Sequence, residues 1–592
     1  MEQIYSTTSF TVNQLIEKID TGELGLPELQ RPFVWQNTKV RDLFDSMLCG
    51  YPVGYLMFWE CPDMDRKKTI GTEAKSYASP KDVIIDGQQR LTSLYSVMKG
   101  KKVIDVNYKE REIIISFCPL TNKFEVATAA TKRSPEWIYN ITDLLMGAGS
   151  YSYITQFITR LSESRSLTDE ERHLISENIE GLFRLKEYSF QVYRIKASAD
   201  EEAVSHIFVR INSEGTKLTE NDFILTLLSV HWGEGRNDIE RFCKESLSPS
   251  VHGTTSYNSI GLKVQPKNIV RTTMAYAFSR ARLDYGYKLL RGADFEHRGV
   301  INSELMQKNF GILKETLPDV LNVNNWHEFL KAIMNAGYLY DTMILSKNAI
   351  YYTYAMYLIA KYKFNASYHE NINLASLWFF YAVLVSIYTG PGDTTAESHL
   401  SAIKNFSTLS EYRDFIISRS GGRMTNDYFN ITLQGSDGLA VSGSGNNAWY
   451  AYVASLNILG TSALFSRHKI PVSKLFEPGS DGTRKALEKH HLFPRSYLKE
   501  LGYTDIQINQ MANYSYIGWH DNAKIMDNPP EQYYPILCRG MGHAEIMQME
   551  DENALPHGWE NMKYDEFLVQ RRKLMASIIK KAFELLKERA KS

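Results

Sequence analysis

Cysteine is scarce: Cys49, Cys61, Cys118, Cys243 and Cys538 are the five in 592 residues, odd in number, far apart and never spaced CxxC. That argues against a disulfide framework or a zinc ribbon and fits a reducing cytoplasm. Charge imbalance is missing too, with 67 Lys plus Arg against 68 Asp plus Glu and a net charge of -1. Bulk charge therefore points to no polyanionic partner, and any such partner has to be sought in local clusters. Long apolar runs are absent. The most apolar stretch, LASLWFFYAVLVSIYTG from Leu374, is interrupted by Ser376 and Ser386 and falls short of the ~20 residues that span a bilayer. A buried core helix is expected there, and no membrane association. The opening MEQIYSTTSF lacks a basic region followed by an apolar core, so no secretory leader is expected and the chain is placed in the cytoplasm. No GxxxxGK[ST] occurs, which removes the P-loop, and no GxSxG, which removes the nucleophile elbow. GSGNNA from Gly443 fits GxGxxA, yet no strand pattern precedes it.

What is present is a globular composition, 43% hydrophobic and 23% charged, in a chain long enough for two to four domains at ~150 residues each. The first section, residues 1–235, mixes strand and helix signals. KDVIID reads as a buried strand running into a turn, REIIISFC and KFEVAT as a hairpin, and YSFQVYRI as a half-buried strand. Val40, Leu43, Phe44, Met47 and Leu48 fall on one stripe of an amphipathic helix. Residues 236–470 change to long aromatic-rich helical patterns, with ITLQGSDGLAVSGSGNNA (431–448) expected to be their least ordered part. Residues 471–592 carry a charged, His-containing segment and close on an amphipathic helix from Tyr564, with Leu568, Met575, Ile578, Ala582 and Leu585 on its apolar face. The fold class is α+β and multidomain.

Two motifs carry chemistry. The first is EKHHLFPRSYL, in which His490 and His491 are adjacent and so can serve two roles in a bent turn, one holding a cation and the other taking a proton. Asn513, Asn522 and Lys524 follow, offering neutral oxygen ligands and a phosphate-facing cation; such a shell suits Mg²⁺ or Mn²⁺. Arg484, Lys485, Lys489, Arg495 and Lys499 against Glu488 and Glu500 make a net +3 stretch able to bind DNA backbone phosphate. On residue content alone, two ordinary partly buried histidines and a solvated charged face explain this segment equally well. The second motif is VIIDGQQRLTSL. A strand delivers Asp86, Gly87 allows a close turn, and Gln88, Gln89 and Arg90 start a helix whose first N–H groups and cation suit a phosphate. A plain strand-turn-helix with polar capping is the other reading of the same residues.

HHLFP, then Asn513, then Asn522 nine residues later followed by Ala523 and Lys524, resembles the His-Asn-His nuclease core of the domain-of-unknown-function family numbered 1524, the nuclease part of GmrSD-type restriction enzymes. The resemblance implies a ββα-metal domain with His491 as general base, His490 and Asn522 as metal ligands, Asn513 orienting the site and Lys524 steadying the phosphate. His490 departs from the family, which often has an acidic residue there. LPELQRPFVW, DGQQRLTSL and FVRINSEGTKLTENDF, in that order, resemble the family numbered 262, with a ParB/sulfiredoxin-like fold. That likeness implies binding and hydrolysis of a nucleoside triphosphate, GTP or ATP, by Gln30, Arg31, Asp86, Gly87, Gln88, Gln89, Arg90, Thr92, Arg210 and Asn212. Together they imply an anti-phage, nucleotide-regulated, metal-dependent endonuclease on modified phage DNA, with homo-oligomerisation left open. A nuclease that cuts without regard to modification and a non-catalytic ParB-like switch are the alternatives.

Overall fold

The computed structural model describes residues 4–27, 33–60, 67–68, 82–105, 110–147, 149–199, 207, 220–246, 260–294, 300–443, 445–476, 487–525 and 527–592. The chain divides into two compact units, Met1–Asn237 and Asp238–Ser592.

The first unit is built on a six-stranded mixed sheet. Its strands are β1 (Tyr5–Thr11), β2 (Leu24–Pro27), β3 (Leu56–Glu60), β4 (Lys67–Lys68), β5 (Asp82–Asp86) and β6 (Ser189–Ile195), in spatial order β1-β6-β3-β5-β2-β4. β6 lies antiparallel to β1 and parallel to β3, while β5 lies antiparallel to β3 and parallel to β2. β6 alternates as its sequence predicts: Phe190 and Val192 are buried, Ser189 and Gln191 exposed. The two sheet faces differ in depth. Phe58, Ile84, Phe190 and Val192 join a large core with α1 (Val12–Asp20), α2 (Asn37–Leu48) and α3 (Gln88–Lys99), whereas Met57, Trp59, Ile85 and Ile195 form a small cluster with Ala199. The predicted stripe of α2 is buried at Val40, Leu43, Phe44 and Met47, with Leu48 packed at the core's margin. The predicted hairpin is also present, Ile115–Cys118 pairing antiparallel with Lys123–Val126.

The second unit is mainly helical and holds both the aromatic helices and the C-terminal residues. α4 (Lys347–Tyr362) and α5 (Tyr368–Leu384) are buried nearly all round, with Tyr351, Tyr354, Trp378 and Phe379 inside. The polar positions of α5 bond internally: Asn371 Nδ2 donates to Tyr357 O (3.0 Å) and Ser376 Oγ to Ile372 O (2.7 Å). The Leu374 stretch thus enters a core helix, the 17-residue α5, which takes in its residues up to Leu384, and among the described residues no helix is long and apolar enough to cross a membrane. α6 (Asn447–Ile458) and α5 both pack against the closing helix α8 (Tyr564–Lys591). α8 buries Leu568, Met575, Ile578 and Ala582 as expected; Leu586 rather than Leu585 completes the stripe.

The segment 431–448, expected to be the least ordered part of the helical section, is anchored at its described residues. Leu433 and Leu439 are buried, Gly443 N–H donates to Asn509 O (2.7 Å) and Met511 N–H to Val441 O (2.9 Å). Backbone hydrogen bonds and two apolar anchors order a segment whose Gly, Ser and Asn content signals only turns. Cys49, Cys118, Cys243 and Cys538 are free thiols, and Cys61 lies outside the described residues.

Candidate active site

β7 (Leu487–His491) and β8 (Tyr514–Gly518) pair antiparallel, placing His490 opposite Ser515 and His491 opposite Tyr514. α7 (Trp519–Ile525) continues directly from β8 and packs on both strands, giving a strand-strand-helix unit. The loop between the strands is closed by Asn513, which is fully buried. Its Oδ1 accepts from Phe493 N–H (2.9 Å), and its Nδ2 donates to Phe493 O (3.1 Å) and Ile508 O (3.0 Å). Three bonds from one side chain fix the backbone just after the histidine pair, so loss of Asn513 would strand several buried polar groups.

The two histidines differ in what they touch. His490 Nε2 is buried and has no hydrogen-bond partner among the described residues. Burial, helped by neighbouring His491, lowers its pKa to about 4, so the ring is neutral at pH 7 and keeps a lone pair. His491 Nε2 lies 3.0 Å from Asn509 Oδ1, and its ring packs on Tyr514 with centroids 4.5 Å apart. Burial lowers the pKa of His491 as well, against the opposing effect of Asn509, with Lys489 and Arg495 adding to the depression. A neutral imidazole beside a second, unpartnered one matches the division of work between a proton acceptor and a cation ligand.

The surrounding cations are more nearly balanced than the linear count suggests. Arg495 lies 3.0 Å and Lys499 3.6 Å from Asp505, a residue just beyond the +3 stretch. Lys524 Nζ pairs with Asp521 Oδ1 at 3.0 Å on α7. These pairs are largely exposed and weakly held, so an incoming phosphate can compete for the cations. Lys489 Nζ sits 4.2 Å from the Tyr514 ring centre, and its partial burial lowers its pKa. Asn522 is half-buried on α7. Arg484 and Lys485 lie outside the described residues. Among the described residues, no group of three or more His, Cys, Asp or Glu side chains could hold a metal. A cation here would depend on a small set including an asparagine.

The DGQQR turn is tighter than its sequence reveals. Gly87 has φ +94°, and a Cβ there would lie 2.2 Å from Leu56 Cδ2, so only glycine fits. Arg90 folds back on the protein, Nη2 to Asp86 Oδ2 (3.1 Å) and Nη1 to Val53 O (2.9 Å), over Gly54, whose Cβ would lie 2.2 Å from Nη1. Gln89 Oε1 accepts from Val34 N–H at 3.0 Å. α3 has Gly87 as its N-cap, with no side-chain cap, Gln88 is half-buried, and Thr92 Oγ1 is buried without a partner among the described residues. Structure thus gathers Asp86, Gly87, Gln89 and Arg90 with Val34, Val53 and Gly54, which no local pattern announces. Gln30, Arg31, Arg210 and Asn212 lie outside the described residues.

Residues 12–229 match the family described as GmrSD restriction endonuclease, N-terminal domain. The first unit is similar to that domain. Over 588 aligned residues the chain is also 22% identical to an uncharacterized protein of Methanocaldococcus jannaschii, covering 91% of this chain and 89% of the relative. That relative extends through the strand-strand-helix unit but carries no functional description. Asn509 is the site residue that sequence reasoning missed. Its only signal is a position four residues before Asn513, in a loop with no motif of its own.

Proposed function

We propose that this chain is a GmrSD-like restriction endonuclease of phage defence: the first unit senses a nucleoside triphosphate and the strand-strand-helix unit hydrolyses phosphodiester bonds in modified foreign DNA. The match of residues 12–229 supports the restriction assignment. The observation that carries the nuclease reading is His490 beside His491: its buried Nε2 has no hydrogen-bond partner among the described residues. A buried polar atom without a partner costs ~1–3 kcal/mol, and a bound cation is the partner a neutral imidazole lone pair fits.

His490 and Asn522 would hold a divalent ion, Mg²⁺ or Mn²⁺, the imidazole favouring the softer of the two. Such an ion would supply charge stabilisation at the scissile phosphate and its leaving oxygen. His491, neutral through burial, takes the proton of the attacking water. Asn513 holds the turn after His491 in place, and Lys489, Arg495 and Lys524 contact backbone phosphates, the last two by exchanging their carboxylate partners.

At the DGQQR turn, the uncapped start of α3 is the phosphate position. The charge of Arg90 is already matched by Asp86, so Arg31 and Arg210 supply the nucleotide's countercharge. On this reading Arg90 clasps the turn through Asp86 and Val53 O.

The deciding experiment is cleavage of plasmid and modified phage DNA with Mg²⁺ or Mn²⁺, with and without each NTP, by the parent and by His491→Ala. Loss of nicking in the variant supports the reading; equal nicking by both would remove it. Equal cutting of modified and unmodified DNA would favour a nuclease that aborts infection without modification specificity.

A further inference from the structure

The geometry points to Asn509 as the positioning residue that fixes the tautomer of His491, leaving Nδ1 as the proton-accepting nitrogen; this deepens the nuclease reading above and rests on it for its catalytic consequence. Two donors converge on Asn509 Oδ1: His491 Nε2 at 3.0 Å and the Tyr514 hydroxyl at 3.1 Å. An amide oxygen can only accept, and its two lone pairs match two donors. The proton of His491 therefore sits on Nε2, and the only ring lone pair is on Nδ1.

The asparagine is itself held from several sides, so it can impose this choice. Its backbone N–H donates to Asp505 O (3.0 Å), and its carbonyl accepts from Gly443 N–H (2.7 Å). On the flanking residues, Tyr564 Oη donates to Gln507 O (2.8 Å) and Ile508 O (3.1 Å), and Arg571 Nη1 donates to Ala512 O (2.9 Å). The Gly/Ser-rich segment and the C-terminal helix thus both brace the loop that carries Asn509. Tyr514, directly opposite His491 in the strand pair, supplies both the stacking surface under the ring and the second donor on Asn509. A ring packed on one face and bonded at Nε2 cannot turn over without breaking both contacts.

The test is two-bond ¹H–¹⁵N correlation on the full chain labelled at histidine, with the His491 signals assigned by their loss in His491→Gln. The parent is expected to show His491 protonated on Nε2 alone. Asn509→Asp keeps an acceptor in place and should keep that pattern. Asn509→Leu should give a mixture of tautomers and lower kcat for DNA nicking about 10- to 100-fold with KM unchanged. A parent spectrum with the proton on Nδ1, or an Asn509→Leu spectrum identical to the parent's, overturns the assignment. If Asn509→Leu does not fold, the parent's spectrum still decides. Should His491→Ala nick DNA as well as the parent, the nuclease reading fails while the tautomer, read by spectroscopy, stands or falls separately.

Discussion

Two turns in this molecule start from the same plan and end in opposite states. In both, a strand delivers polar residues into a tight turn with a helix beyond it. At the DGQQR turn the charged and amide groups satisfy one another, and only the weakly polar Thr92 Oγ1 lacks a partner among the described residues: Arg90 bonds Asp86 and Val53 O, and Gln89 accepts from Val34. At the HHLFP turn one group is left over, for His490 Nε2 is buried with no partner among the described residues while its neighbour His491 is bonded to Asn509. Folding selects closed sets of polar groups, because each unmet buried one costs ~1–3 kcal/mol. A closed set is explained by the fold; an open one needs something from outside. The contrast shifts weight from the residues that look most chemical in the sequence, Asp86 and Arg90, to His490, whose ring nitrogen the described residues leave unmatched.

The largest effect that would sharpen this contrast is catalytic. His491→Ala should lower the rate of DNA nicking by about 10²- to 10⁴-fold, the range of a removed general base. Arg90→Met should alter nicking only through the amount of folded protein. Single-turnover rates corrected for the folded fraction by circular dichroism separate the two. A specific rate that falls as far for Arg90→Met as for His491→Ala would end the distinction between the turns.

Next in size is a pH effect inside the second unit, where two histidines share a depressed pKa of about 4 but not a hydrogen-bonding state. His399 Nδ1 lies 3.3 Å from the Tyr388 hydroxyl, between Trp378 and Phe415, and burial lowers its pKa from 6.5 to about 4, with Arg419 adding to the shift. Its folded pKa is below its unfolded one, so between about pH 6.5 and 4 the unfolded chain binds a proton that the folded chain does not. Stability should therefore fall as pH falls through that window, by about 3 kcal/mol in all. Urea midpoints against pH for the parent and His399→Gln measure it: the variant's slope should be shallower, and parallel slopes would show that His399 does not carry the effect.

How much of this was legible in the sequence follows from the range of the interactions. The strands at 82–86, 115–118 and 189–195 and the stripe on α2 were readable because periodicity and β-branching are local. So was the strand-turn-helix order around Gly87. The partners that decide what the motifs do are not local: Val53 is 37 residues from Arg90, and Asn509 is 18 residues from His491 in a stretch without a motif. Charge counting failed at its edge for a similar reason, since Asp505, which pairs with Arg495, lies outside the window that made the segment basic. The Gly/Ser-rich 431–448 segment misled because composition reports turns and not the backbone bonds that anchor them, such as Gly443 to Asn509.

The smallest effect is the most direct test of the comparison, because it asks for opposite signs. With a chelator present, Arg90→Met should destabilise the first unit by about 1–3 kcal/mol, since Asp86 and Val53 O lose their partner. His490→Leu should leave the second unit as stable as the parent or stabilise it by up to about 3 kcal/mol, since it removes a buried polar atom that lacks a partner among the described residues. Adding Mn²⁺ should reverse the order at the second site: a ligand that binds only the folded chain stabilises it by mass action, so the parent gains and His490→Leu does not. Urea unfolding of parent and variants with chelator and with Mn²⁺ gives all the differences in one series. If His490→Leu destabilises in chelator as much as Arg90→Met does, His490 has a partner in solution and the contrast between an open and a closed turn fails. If it stabilises in chelator and the parent shows no gain from Mn²⁺, the site is open but not to that cation, and Mg²⁺ is the next ion for the same series.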